Sequence, residues 1–446
     1  MNIRNHSKFL LVAIAVVVFG MPTTVIGQAS STDQAKGDAR FTFSTFYNQK
    51  YMLGDWGGTR TRLEEEKGVK FDFFYISDML YAKEAAIQTG GAGWNRARGT
   101  MDIDFGKLAG LQGLTFHVTG LWQGGPNLGA SYLGSISNPS GLVSARTEIL
   151  DSYWLAYAML DGKVTLRVGQ FASMDYYGLQ PYGGSFLLEP LNYGFQNRFN
   201  DYASFDPASG PGVQLVVSPT SFLYYSVAYT SGNRNPYKDD YNGFHFVKQD
   251  SGVLSDAVGF KIGQPGTGKA LKAKYYPGQY EVGSTYNGGK FTNPFNPLPL
   301  SLSQNTGNYV FYFMGNQAVY RMNGSTNRGL DVLFGITQSP NETYNFVDRN
   351  ITTGIVFHGP ITTRPRDSID FALSYTHVSD KYATAYAAAN PLSSPYSSEK
   401  AYEFNYLFQA TPYWIIQPTV QWYQDLGGLS KNGTGLAIGL RTKVTF

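Results

Sequence analysis

The sequence predicts an all-β protein: a transmembrane antiparallel β-barrel of about 16 strands, preceded by a short N-terminal periplasmic helix. Three observations predict it. Apolar and polar residues alternate with step two in segments that recur to the last residue. The connections between those segments alternate between minimal turns and long Gly-, Pro-, Asn- and Ser-rich stretches. Hydrophobic residues make up only 42% of the chain, yet aromatics reach 15% and glycines number 51, a mixture for many strands and many turns rather than for membrane helices.

In chain order, the first feature is an apolar run from Phe9 to Gly20, flanked by Arg4 and Lys8 before it and by Gly27, Gln28 and Ala29 after it. Such a run is too short to cross a bilayer and has the flanks of a secretory signal peptide, placed at residues 1–29. Removing Arg4 and Lys8 takes the formal charge from +3 to +1, which leaves no basic excess and so no nucleic-acid partner. The absence of cysteine excludes disulfide frameworks and thiolate metal sites. Residues 30–67 form an N-terminal segment, polar at first, then a charged helix near 55–67 with Asp55 placed to cap it and Gly68 to end it.

The barrel occupies residues 68–446. Its first strand carries Val69, Phe71, Phe73 and Tyr75 on one side and Lys70, Asp72 and Asp78 on the other, with Phe74 and Ile76 as exceptions. Further strands are expected near 97–106, 113–123, 150–160, 163–171, 211–218, 221–230, 252–263, 271–286, 308–320, 328–337, 345–358, 368–378, 401–410, 413–423 and 435–446. Asp161-Gly162, Pro219-Thr220 and Thr411-Pro412 are short turns at one end, whereas 124–149 and 172–210 are the long connections of the other. The loop 172–210 either folds inward as a constriction or covers the mouth. A soluble sandwich would bury the apolar face; a membrane barrel turns it to lipid and leaves no unpaired strand edge. In the last strand Leu436, Ile438, Leu440, Val444 and Phe446 share a face opposite Arg441 and Lys443, as the membrane version requires.

The stretches LGDWGGTRTRLEEEKGV, GLTFHVTGLWQGGPNLGASYLG, DGKVTLRVGQFA, PGVQLVVSPTSFLYYSVAY and QATPYWIIQPTVQWYQ, with the terminal Phe446, resemble carbohydrate-selective porins of the OprB type across nearly the whole mature chain. That resemblance implies a sixteen-stranded barrel of the bacterial outer membrane that passes small sugars passively. Two other readings stay open: a general or anion-preferring porin whose lumen field comes from Arg98, Arg167, Arg441 and Lys443, and a secreted soluble glycan-binding β protein. Homotrimer and single barrel are both compatible with the pattern, and the surrounding partner is outer-membrane lipid.

Candidate lining residues follow from parity. The Asp161-Gly162 turn pairs Leu160 with Lys163, Tyr157 with Leu166, Ala156 with Arg167 and Trp154 with Gly169, so Arg167 and Trp154 point into the lumen. The same argument puts Arg98, Asp102 and Asp104 inside, and His117 in an ordinary lumenal position. Arginine donates to sugar hydroxyls, carboxylates accept from them, and an aromatic plane packs on the C–H face. The acids and arginines would equally serve by pairing with each other across the wall. Trp122 and Trp422 read as interfacial girdle residues and Trp94 as part of the first external loop. No nucleophile–base set, cofactor motif or metal-ligand spacing is present, so neither enzyme activity, cofactor nor metal is expected.

Overall fold

Alternation becomes geometry in sixteen strands among the residues that the computed structural model describes: 43–143, 146–192, 209–231, 251–263, 276–292, 304–322, 325, 327–340 and 345–446. The expected signal peptide at 1–29 and the stretch 30–42 lie outside them. Asn48–Phe446 form one unit; of the preceding unit, ending at Tyr47, only the start of a short helix at Phe43–Asn48 is described.

The strands are β1 (Val69–Glu84), β2 (Gly90–Asp104), β3 (Leu114–Gly124), β4 (Thr147–Met159), β5 (Val164–Phe171), β6 (Gly210–Val217), β7 (Leu223–Ser231) and β8 (Gly252–Ile262). They continue as β9 (Gly278–Thr292), β10 (Gln304–Arg321), β11 (Gly329–Gln338), β12 (Val347–His358), β13 (Ser368–Val378), β14 (Ser398–Thr411), β15 (Trp414–Gln424) and β16 (Thr434–Thr445). Each pairs antiparallel with its neighbours in sequence, and β1 pairs with β16, so the barrel is closed and no edge is left unpaired.

Two strands shift noticeably from their expected limits. β2 starts at Gly90 rather than near 97, because backbone pairing with β1 from Gly90↔Ala82 to Asn95↔Ser77 does not need side chains. Trp94 is therefore a strand residue facing inward, not part of an external loop. β9 lies later than 271–286, pairing with β8 from Gly278↔Ile262 and with β10 as far as Thr292↔Gln304.

The outward row is apolar and exposed, as Met79, Tyr81, Leu155, Tyr157, Val168, Tyr229 and Phe404 illustrate. The hairpin of β4 and β5 has the expected register, with Trp154↔Gly169, Ala156↔Arg167 and Tyr157↔Leu166. Its turn holds Asp161 at φ 56° and Gly162 at φ 79°, the left-handed pair that an Asp-Gly sequence accommodates. Before β1, helix α1 (Thr59–Lys67) begins four residues after Asp55, with Gly58 as its N-cap. Asp55 still serves that end, because its Oδ1 accepts from Thr61 N–H at 2.9 Å. Arg60 of α1 is buried, donates to the Phe446 carbonyl at 2.7 Å and to the Phe71 carbonyl, and so ties the helix to both strands of the closing seam.

Inside, the barrel departs from a simple polar lumen. Residues 129–143, after β3, and 173–192, after β5, fold inward along the wall; the latter includes helix α2 (Glu189–Asn192). Phe186, Leu187, Leu188 and Leu191 are fully buried with Leu133 and Leu426 against Leu80, Leu333, Val356, Ala372, Ala401, Tyr423 and Ala437 of the wall. This explains Phe74 and Ile76 too: they face inward and pack with Trp94 against Leu142 and Val143. Of the two arrangements open for the loop after β5, the described part adopts the inward one.

Carboxylates of the wall hold these segments by their backbone. Glu403 accepts from Leu187 N–H at 2.8 Å and Leu188 N–H at 2.7 Å. Glu399 accepts from Ile136 and Ser137 N–H at 2.8 Å each and from Gly427 N–H at 2.9 Å. Arg441 makes a bidentate pair with Asp78 at 2.7 and 2.8 Å and donates to the Phe186 carbonyl at 3.0 Å. Burying a large apolar side chain contributes roughly 1.5–3 kcal/mol. Fixing backbone costs roughly 1–2 kcal/mol per residue. Over the stretch from Phe186 to Leu191 these two nearly cancel, so the charge-assisted bonds decide whether it stays seated.

Candidate functional site

The wall from β2 to β5 carries the residues that parity assigns to the lumen. Cross-strand pairing sets them side by side: Asp102 opposite His117, His117 opposite Trp154, and Ala156 opposite Arg167. His117 Nδ1 and Asp102 Oδ1 are 2.6 Å apart, and His117 Nε2 and Thr119 Oγ1 are 2.9 Å apart. With both ring nitrogens engaged, the imidazole is fixed in plane. It stacks on Trp154 with centroids 4.7 Å apart and planes 10° from parallel.

The Arg167 guanidinium lies 4.4 Å from the Trp154 ring centroid and 4.0 Å from that of Tyr176 in the inward segment. It also donates to Gln214 Oε1 of β6. The result is a continuous pile of imidazole, indole, guanidinium and phenol, in which cation–π attraction adds to packing. Burial raises the Tyr176 phenol above its ordinary range against the opposing pull of Arg167, so it remains a neutral hydroxyl. Gly169 is what lets β5 approach: a Cβ there would meet Tyr153 O at 2.4 Å and Trp154 Cα at 2.5 Å. The space over the Trp154 ring is thus filled by Arg167 and His117, and neither face of the indole is free for a sugar.

Arg98 lies beside this pile, its Nη2 3.9 Å from Asp151 Oδ2. Asp151 is the extra residue of a bulge in β4 and is fully buried, with Ser209 Oγ donating to its Oδ1 at 2.9 Å. Asp104 stands apart. It ends β2 and caps the short helix Phe105–Ala109, accepting from Gly106 N–H at 2.8 Å and Lys107 N–H at 3.4 Å. Asp102, Trp154 and Arg167 are therefore brought together, Arg98 adjoins them, and Asp104 serves a turn. Asp102 is the most open of the ionic groups, with 42% of its side chain exposed against 22% for Arg98 and 17% for His117.

Sequence reasoning did not single out the far wall. There Arg321 makes a bidentate pair with Asp331 at 2.9 and 3.0 Å, and His358 Nε2 is 3.5 Å from the same carboxylate. Tyr182 of the inward segment covers His358, with ring centroids 5.2 Å apart. The available signal was parity: Asp331 alternates with Leu333 on the face opposite to Leu330 and Val332. Lys443 faces inward with its Nζ 4.8 Å from the Phe74 centroid. Trp122 and Trp422 are on the outward face, as girdle residues would be. Among the described residues no three His, Cys, Asp or Glu side chains gather as a metal site.

The family model described as carbohydrate-selective porin, OprB family, matches residues 89–446. Porin B of Pseudomonas aeruginosa is 25% identical over 439 residues, covering 90% of this chain and 92% of that protein. The putative porin QuiX of Acinetobacter baylyi is 22% identical over 426 residues, covering 90% and 94%. Among solved structures, the high-pH structure of Pseudomonas putida OprB superposes with a TM-score of 0.81 at 20% identity, over 90% of this chain and 100% of that one.

Proposed function

The chain belongs to the OprB family of carbohydrate-selective porins, and from that premise we propose that sugars cross its lumen along the ionic strip of Arg98, Asp102, His117 and Arg167. The protein is an outer-membrane porin for small sugars, a channel rather than an enzyme. What supports the strip is the pile itself: its faces are closed, so it offers edges. The Asp102 carboxylate accepts from sugar hydroxyls, and Arg98 donates to them. Trp154 and Tyr176 keep the guanidinium in one orientation, so the groups present a fixed pattern at no ordering cost during passage. Asp104, spent on its turn, has no part in the strip.

The anion-preferring reading fares less well on charge. Arg441 is buried and neutralised by Asp78, and Arg98 has Asp151 beside it, so two of its four cations are already balanced. Passage also requires weak binding, since a tight site would hold its cargo.

Sugar block of single-channel current tests the strip. Asp102→Ala is expected to weaken glucose block several-fold with little change in open conductance. Trp154→Ala and Arg167→Ala should change both, because either one dismantles the pile. Unaltered block in all three variants would remove these residues from the sugar path.

A further inference from the structure

Behind the inward segment, three side chains in one row of the wall each carry a buried oxygen without a hydrogen-bond partner among the described residues. Asp370 of β13, Asn405 of β14 and Thr419 of β15 are direct cross-strand partners in one row, Asp370↔Asn405 and Asn405↔Thr419, all on the inward face. They are 0%, 1% and 3% exposed. Among the described residues, Asp370 Oδ1, Asn405 Oδ1 and Thr419 Oγ1 have no hydrogen-bond partner.

The other bonds of Asp370 and Asn405 fix which of their atoms is left without a partner. Asp370 Oδ2 accepts from Ser368 Oγ at 2.9 Å. Asn405 Nδ2 donates to Ser185 O at 2.9 Å and to Glu403 Oε1 at 3.0 Å, which orients the amide so that its oxygen is turned away from both. No cationic side chain pairs with Asp370 among the described residues, and the neighbouring Arg441 is committed to Asp78. An isolated carboxylate buried without a counter-charge costs several kcal/mol, which proteins avoid by protonation, by pairing or by coordinating an ion; one carboxyl proton serves one neighbouring oxygen, whereas an ion serves all three.

We propose that Asp370, Asn405 and Thr419 form a structural site for a monovalent alkali cation of the sodium class, which fastens β13, β14 and β15 beneath the inward segment. Carboxylate, amide carbonyl and hydroxyl are hard oxygen donors of the kind such ions take, with neither thiolate nor imidazole to recruit a transition metal. Asp370 is the one carboxylate among the three donors, so a single positive charge balances the donor set. The site lies in the wall and is distinct from the ionic strip on β2 to β5.

The test uses the full folded barrel in detergent, unfolded by heat and followed by tryptophan fluorescence, in sodium chloride and in choline chloride at equal ionic strength. Ligand linkage predicts a midpoint higher in sodium by on the order of a few degrees. Asp370→Asn and Thr419→Val should each lose that difference. Should Asp370→Asn fail to fold, Thr419→Val, which removes one ligand and no charge, carries the comparison. Equal midpoints in the two salts for the wild type would overturn the proposal, as would a sodium-dependent rise retained in the variants.

Discussion

Channels carrying Glu403→Ala are expected to conduct several-fold more current than the wild type and to admit larger sugars in liposome swelling. The carboxylate that this change removes is fully buried and accepts four hydrogen bonds: Leu187 and Leu188 N–H, Asn405 Nδ2 and, at 3.1 Å, Gln421 Nε2. Bonds to an ionised group contribute about 1.5–3 kcal/mol each, and apolar burial of the segment about cancels its ordering cost. Without the latch the segment from Phe186 to Leu191 leaves the wall for part of the time, and the lumen it fills becomes passable. Glu403→Gln keeps the shape and one acceptor and should lie between. Unchanged conductance and an unchanged sugar size limit in Glu403→Ala would show that apolar packing alone seats the segment.

The second large effect concerns the closing seam. Asp78 and Arg441 are register partners across β1 and β16 and are 1% and 4% exposed. Among the described residues, Arg441→Met leaves Asp78 with only the Ser140 hydroxyl, which donates at 2.6 Å, and it also removes the donor to Phe186 O. Losing one partner of a buried ion pair costs about 3–5 kcal/mol, whereas replacing both by neutral groups of similar volume is far milder. Heat-modifiable gel mobility should therefore show a sharply lower unfolding temperature for Arg441→Met and substantial recovery in Asp78→Asn/Arg441→Met. A double variant no better than the single one would contradict this account of the seam.

How much of this was legible in the sequence depends on the range of the interaction. The β4–β5 register was readable because a two-residue turn fixes pairing locally, and it carried Trp154 and Arg167 to their correct face. Closure was implied by the even strand count. Phe74 and Ile76 looked like lapses in alternation because their partners, Leu142 and Val143, lie far along the chain. Glu399 and Glu403 could be placed inward by parity, but their ligands are backbone N–H groups, which no side-chain pattern encodes. One signal was present and unused: the apolar run FLLEPL, at 186–191, sits within a connection otherwise rich in glycine and polar residues, and an apolar run there has to be buried somewhere.

At the candidate site the facing of the residues was legible and their mutual arrangement was not. Parity brought Trp154, Arg167 and Asp102 to one lumen, but it gave no sign that His117 and Arg167 would close both faces of the indole. Stacking depends on side-chain torsions and on Tyr176, which arrives from the loop. Asp104 shows the opposite limit. Its parity is lumenal, yet being last in its strand it meets the free N–H groups of the following helix.

The central claim, a closed barrel whose narrowed lumen carries sugars past an ionic strip, is tested most directly by ion current through single wild-type channels as glucose is added. The account predicts stable open channels whose current falls with rising glucose and recovers on its removal, with weaker block by sugars too large to enter. Channels that conduct but ignore sugar at every concentration, or purified protein that opens no channel, would contradict it.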